Sequence, residues 1–375
     1  MIVKNEAHVI RRCLESVRPI IDHWVIVDTG STDGTGEVIR AALADVPGTL
    51  VNRPWVDFAA NRGEALELAR PHGDYALIID ADDELIIPAG FVMPHLDAPG
   101  YAITILDKSI QYWRTQMVSR EHNWYYRGVL HEFLTCDDVS WVDMLPLSMR
   151  RGLDGARHRD PGTFRRDLET LERALATEQD PLLCARYTFY LAQCYRDCGA
   201  DREALHHYLR RAELGFWNQE IYVSLLNAAG LMERLNEPGD AILALYDRAI
   251  AVCPERAEAR YGASRICSAA GDYARALQYA RDGLPTDMPT DALFVSTWIY
   301  TYGLKHEYAL NAFQLNQSRV CLHAWLDVLQ QPDIEAERRA QISSLARVAL
   351  RNMVDPIWGI GASGYRSEYV PAWQT

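Results

Sequence analysis

Three aspartates within four positions, Asp80, Asp82 and Asp83, close the run YALIIDADDEL from Tyr75 to Leu85. Carboxylates this close repel one another, and each is costly beside apolar neighbours unless something neutralises it. A divalent cation is the simplest such partner. Carboxylate oxygens suit Mg2+ or Mn2+, which can also hold substrate phosphates. Asp80 and Asp82 therefore form a candidate Asp-x-Asp seat for a metal-held diphosphate; the plainer alternative is a solvated acidic turn. A second polar cluster lies upstream in Asp28-Thr29-Gly30-Ser31-Thr32-Asp33-Gly34-Thr35. A third candidate is the His131-Glu132 pair inside the aromatic-rich WYYRGVLHEFL, Trp124 to Leu134. Aromatic faces with polar partners make a sugar-binding wall, and a carboxylate or imidazole there can take a proton. The alternative is a strand-edge pair that only bonds locally.

Elements must place these groups. Ala76 to Ile79 is a short apolar run and reads as a buried strand ending at the aspartates. His23 to Val27 is a second buried strand, running into the glycine-rich turn at 28–35 and then a helix from Glu37 to Leu43. Met1-Ile2-Val3 reads as the tail of a first strand. Val9, Ile10, Cys13, Leu14 and Val17 follow at helical spacing until Pro19. A strand at Thr49–Asn52, a helix at Asn61–Ala69 and the strand at Tyr75 continue the alternation. This order implies a parallel sheet, whose ligands sit beyond the carboxyl ends of the strands. Both acidic clusters lie at such ends and are expected to face one crevice. Asp57, Asn61 and Arg62 lie between them. The Arg62 guanidinium is shaped for phosphate oxygens, while Asp57 or Asn61 can instead cap the following helix. Gly100–Leu106 and Ser109–Trp113 read as further strands.

The blocks IVKNEA, VIVDTGSTDGT, NRGEAL and LIIDADDEL, in this order and spacing, resemble the GT-A-fold glycosyltransferases of the large inverting family. The resemblance covers residues 1–150. It implies an α/β GT-A-like domain with a Rossmann-like mixed sheet that moves a sugar from a nucleotide diphosphate, with UDP favoured. By the same resemblance Asp28, Gly30, Ser31, Asp33, Asp57, Asn61, Arg62, Asp80 and Ala81 line the donor, and Asp80 and Asp82 hold Mn2+ or Mg2+. GVLHE matches a Gly-x-x-His-Glu block beside the acceptor, which makes Glu132 the expected base of an inverting transfer and His131 its rival. A nucleotidyltransferase is the alternative enzyme, but it needs a glycine-rich basic loop where this chain has Lys4-Asn5-Glu6-Ala7. A non-catalytic scaffold is the third reading.

Arg150 to Gly162, RRGLDGARHRDPG, is basic and glycine-rich and reads as a boundary, with 151–162 taken as a solvated linker; a reach back to phosphates is the alternative. From Thr163 the pattern is helical. After a lead helix at Thr163–Thr177, Ala204, Ala241 and Ala276 recur 37 and 35 residues apart, near the tetratricopeptide period of about 34. Residues 163–351 thus read as an all-α helical repeat domain, and 352–375 as a loop-like tail. A repeat surface suits an extended partner, so the expected acceptor is a protein, peptide or glycan, and the repeats could form a homodimer.

The 375 residues carry a net charge of −13, which argues against a nucleic-acid or anionic-membrane surface. No apolar run approaches the roughly 20 residues of a membrane span. Eight cysteines without a CxxC pair read as buried reduced thiols. With no secretory leader in view, a cytoplasmic location is expected.

Overall fold

In the computed structural model of the chain the described residues are 1–359, apart from 109, 290, 291 and 333. They form two compact units: Met1–Leu231 with Thr290–Val295, and Met232–Pro289 with Ser296–Thr375. The division falls well beyond the basic segment at 151–162, so the first helices after that segment share a unit with the sheets.

The first unit opens with β1 (Ile2–Val3), α1 (Ile10–Val17), β2 (Trp24–Asp28), α2 (Thr35–Ala42) and β3 (Gly48–Asn52). Helical connections return the chain to the same edge, so the three strands are parallel, in order β1-β2-β3. Helix α1 buries Ile10, Cys13, Leu14 and Val17, the positions that 3.6-residue spacing puts on one face. The chain continues with α3 (Phe58–Ala69), β4 (Tyr75–Leu77), β5 (Glu84–Ile86), β6 (Gly100–Asp107), β7 (Ile110–Ser119), the hairpin β8 (Tyr125–Arg127) and β9 (Phe133–Thr135), and β10 (Asp143–Arg150). A second, mixed sheet contains β7-β6-β10-β5 in that order, with β4 antiparallel to β7. β6 and β10 are parallel; β5 with β10 and β6 with β7 are antiparallel.

The architecture is the expected α/β one, but the sheet is split. β4 takes its partner from β7 rather than from β1, and a cavity of about 650 Å3 lined by Met1, Val25, Ile26, Leu77 and Ile79 lies between them. Ile79 is buried among Tyr101, Ile103, Ile105 and Met149, which fixes the base of the acidic turn in the core.

Next come α4 (Ala156–Arg159), α5 (Thr163–Thr177), α6 (Pro181–Asp197), α7 (Asp201–Ala212) and α8 (Asn218–Arg234). Helix α6 starts cleanly: the Asp180 side chain accepts from the Leu182 amide, and Pro181 occupies the first turn. Leu130 from the β8–β9 connection packs with Leu171 of α5 and Tyr187, Leu191 and Cys194 of α6.

The second unit holds α9 (Gly239–Val252), α10 (Glu258–Ala269), α11 (Tyr273–Gly283), α12 (Leu304–Gln314), α13 (Ser318–Leu329) and α14 (Ala336–Gly359), each packed on the next or across a short connection. Fully buried Ala276, Ala280, Ala309 and Ala312 let these helices approach closely. The repeat register differs by one position from the sequence reading. Ala241 is exposed in the first turn of α9, and Ile242 and Tyr246 take the inward places that Ala204 and Tyr208 take in α7. The segment from Asn352, expected as loop, is still helical to Gly359; the rest of the tail lies outside the described residues. Among the described residues no helix is long and apolar enough to cross a membrane. All eight cysteines are free.

Candidate functional site

The chain after Ile79 turns sharply, with the Asp83 amide donating to the Asp80 carbonyl at 3.2 Å. Helix α1 supports the turn from one side: Cys13 Sγ donates to the Asp80 carbonyl, and Ser16 Oγ accepts from the Leu85 amide. The three carboxylates then find different surroundings. Asp80 pairs with Arg62 at 2.5 Å. Burial raises its pKa, but Arg62 and then Arg114 outweigh burial and hold the carboxyl at about 2. Asp82 has no such cation in contact: burial, then Asp80, push it above the ordinary carboxylate range. His158 Nδ1 lies 3.7 Å from its Oδ2. Asp83 accepts from the Gly152 amide at 3.0 Å and lies 3.7 Å from Arg114. Burial, then Asp80, push it up to about 7.

The basic segment expected as a solvated linker covers this turn instead. Arg12 of α1 donates to both oxygens of Asp154, at 3.0 and 2.8 Å, and to the Asp82 carbonyl at 2.9 Å. A Cβ at Gly152 would come within 2.1 Å of the Asp82 carbonyl oxygen, and one at Gly155 within 2.6 Å of Asp82 Oδ2. Both glycines are therefore demanded by close approach. The Ala156 amide, at the start of α4, donates to the Glu6 carboxylate at 3.1 Å. His158, which sequence reasoning leaves inside the linker, thus arrives beside Asp82. Its only sequence signal is a histidine in a glycine-spaced loop after the last strand.

The turn after β2 is built differently. Buried Asp28 uses Oδ1 to accept from the Gly30 amide at 2.9 Å and the Ser31 amide at 2.7 Å. Gly30 has φ 109°, open to it because it lacks a Cβ. Ser31 Oγ accepts from the Asn5 amide, and Asn5 Oδ1 from the Thr32 amide. Asp33 accepts from the amides of Ala7 and Thr35 and from the Thr35 hydroxyl. Segment 4–7 and the turn therefore clasp each other. Glu6 ties the 28–35 turn to the covering segment, since its amide donates to Thr35 Oγ1 while its carboxylate accepts from the Ala156 amide. β2, which ends at Asp28, belongs to the three-stranded parallel sheet, whereas β4, which leads to Asp80, pairs antiparallel with β7 in the second sheet. The two turns therefore do not follow strands of one parallel sheet, contrary to what the alternation implies.

Of the residues between the clusters, Arg62 reaches the acidic turn. Asp57 caps α3 by accepting from the Ala60 amide at 2.7 Å. Asn61 is buried and ties down the preceding loop, accepting from the Val56 amide and donating to the Pro54 carbonyl. Ala81 is buried with Val3, Ile10 and Ile26.

The His131-Glu132 pair divides. The Glu132 side chain is 10% exposed and forms an ion pair with Arg62 Nε at 2.6 Å. Burial raises its carboxyl above the ordinary range against the pull of Arg62. One guanidinium therefore spans Glu132 and Asp80. The Tyr126 hydroxyl, beside Arg62, Asp80 and Glu132, is pushed up to about 12, chiefly by burial. The His131 ring stacks on Tyr190 of α6, centroids 3.9 Å apart and planes at 6°. Desolvation there, then the Arg186 charge, hold the imidazole below its ordinary value.

Comparison with known proteins gives these observations a setting. Residues 1–130 match the model of glycosyl transferase family 2. A TPR repeat-containing protein of Synechococcus elongatus is 30% identical over 271 residues, 67% of this chain; the aligned part spans 64% of that relative's own length. An uncharacterized glycosyltransferase of Rickettsia felis is 37% identical over 85 residues, 23% of this chain and 28% of its own. Among solved structures, a thermophilic TPR protein of Thermus thermophilus aligns with 51% of this chain and 92% of its own at 18% identity, with a TM-score of 0.33.

Proposed function

A glycosyl transferase family 2 domain over residues 1–130, continued by tetratricopeptide-type helices, is the premise from which we propose that this protein transfers a sugar from a nucleotide diphosphate, with UDP the favoured nucleotide, to a protein or peptide acceptor. The observation that carries the reading is the Arg62 bridge. It puts the Asp80 end of the acidic turn and the Glu132 carboxyl at 2.5 and 2.6 Å from one side chain. The diphosphate end and the proton acceptor of a transfer must lie this close.

Asp80, Asp82 and His158 are the groups that would hold Mn2+ or Mg2+. Two carboxylates and an imidazole suit such an ion, most of all Mn2+. The fit rests on charge: Asp82 and Asp83 are both pushed up by burial and by Asp80, a crowding that a cation relieves. When bound, the ion would supply neutralisation of the diphosphate leaving group. The chain's own groups do the rest. Arg62 lends its guanidinium to the phosphate oxygens, releasing Asp80 as it does so. Glu132 takes the proton of the acceptor hydroxyl while that oxygen bonds to the anomeric carbon and the bond to the diphosphate breaks. A single displacement of this kind inverts the anomeric centre. A carboxyl raised by burial is a better proton acceptor near neutral pH than an ordinary one. Glu132 is preferred to His131 because it faces Arg62 and Asp80, whereas the His131 ring lies against Tyr190. The nucleotidyltransferase alternative is weakened by the clasp of residues 5–7 on the 31–35 turn, which uses the amides a phosphate loop would offer.

The test is a panel of nucleotide sugars incubated with Mn2+, with nucleotide release as readout. Release from a UDP-sugar that depends on Mn2+ and disappears in Asp82→Ala supports the reading. Release that persists undiminished in Asp82→Ala contradicts it.

A further inference from the structure

The Glu132 loop is held from outside the family domain. Gly128 has φ 100° and His131 has φ 52°, so the turn between β8 and β9 occupies left-handed backbone twice, once at a residue with a Cβ. Such a conformation persists only where neighbours impose it. Helix α6 supplies those neighbours. Arg186 donates to the His131 carbonyl through Nε at 3.0 Å and through a terminal nitrogen at 2.9 Å. The Val129 amide donates to the Tyr187 hydroxyl at 3.1 Å, and Tyr190 stacks on the His131 ring. Arg186 lies over the rings of Phe133 and Tyr190 at 4.7 and 5.0 Å. It is aimed by Glu220 of α8 at 3.3 Å, and buried Glu220 is itself held by buried Arg211 of α7. The ladder Arg211–Glu220–Arg186–His131 carbonyl thus ends one residue before Glu132, which continues it through Arg62 to Asp80.

We propose that Arg186 is a positioning residue for Glu132: its two-pronged grip on the His131 carbonyl fixes the loop that aims the base, so the first repeat helices are part of the catalytic apparatus. The inference rests on Glu132 being the base. Guanidinium is suited to the task, because its fork offers two donors to one acceptor where an ammonium offers a point charge.

The experiment uses the full chain with Arg186→Ala, Arg186→Lys and Glu132→Gln. Amide hydrogen exchange is followed over residues 128–134, with 24–28 as reference, and Mn2+-dependent UDP release from UDP-glucose is measured with water as acceptor. In Arg186→Ala, exchange at 128–134 should quicken while 24–28 is unchanged. Its kcat should fall roughly tenfold to a hundredfold, the scale of a small misplacement of a catalytic group, with KM for UDP-glucose nearly unchanged. Arg186→Lys should recover part of both. Unchanged exchange at 128–134 in Arg186→Ala overturns the proposal whether or not UDP-glucose is a donor. Loss of activity in Glu132→Gln with full activity in Arg186→Ala also overturns it and leaves the base intact. Full activity in Glu132→Gln overturns the base, and this inference with it.

Discussion

The first unit carries two acidic turns, one after β2 and one after β4, and they are built in opposite ways. In the turn at 28–35, Asp28 and Asp33 accept from amides and a hydroxyl of their own surroundings, so their negative charge is spent on holding a shape. In the turn at 80–83 the carboxylates turn to different partners, yet the Asp80 charge is felt by both of the others. Asp80 is steadied by Arg62, while Asp82 and Asp83 are pushed upward by burial and by Asp80. The first turn is satisfied within itself, and the crowded second one is the proposed seat of a counter-charge. The lesson is that acidic residues after a strand are told apart by how much like charge surrounds them, not by residue type.

The contrast can be broken by substitution. Glu132→Gln, which keeps the shape and removes the proton acceptor, should lower nucleotide-sugar turnover by about 10²- to 10⁴-fold, read in a steady-state assay. Asp82→Ala should lower it by roughly 10²- to 10³-fold, as expected for loss of one electrostatic stabiliser. The same variant should melt no lower than the parent, because it removes a crowded charge. Asp28→Ala should do the reverse. Leaving two amides unanswered in a buried turn costs about 1–3 kcal/mol for each group left unsatisfied, which a denaturant titration resolves. If Asp28→Ala leaves stability intact and Asp82→Ala unfolds the protein, the two turns have been assigned the wrong way round. Asp57→Ala should cost about 1 kcal/mol through loss of the α3 cap.

The smallest effect is a pH dependence at Glu6, which ties the 28–35 turn to the segment lying over Asp82. Burial pushes its carboxyl to about 7, against the bond from the Ala156 amide. A folded-state pKa above the unfolded one means stability present at low pH and lost as pH rises through about 7. Glu6→Gln keeps an acceptor for Ala156 and removes the titration. Its melting temperature relative to the parent should rise between pH 5 and pH 8, and a flat difference would contradict the assignment.

Much of this was readable in the sequence where information is local. The alternation of apolar runs and helical spacings from Val9 to Ile79 puts Asp28 and Asp80 at strand ends, and the Asp57 cap is a nearest-turn interaction. What escaped is long-range. Arg12 meets Asp154 across 142 residues and Asp82 across 70. Nothing in the run RRGLDGARHRDPG distinguishes a solvated linker from a loop whose glycines exist so that it can lie on Asp82. Periodicity names a strand without naming its partner, which is why the pairing of β4 with β7 and the split sheet were not foreseen. In α9 the neighbours Ala241 and Ile242 are both apolar, so a repeat pattern alone cannot decide which one points inward.

The most direct measurement is calorimetric titration of UDP into the parent protein and Asp82→Ala, each with and without Mn2+. The account predicts binding that Mn2+ strengthens in the parent and that Mn2+ leaves unchanged in the variant. Equal strengthening by Mn2+ in both proteins would contradict it, because the ion would then be held somewhere other than the acidic turn.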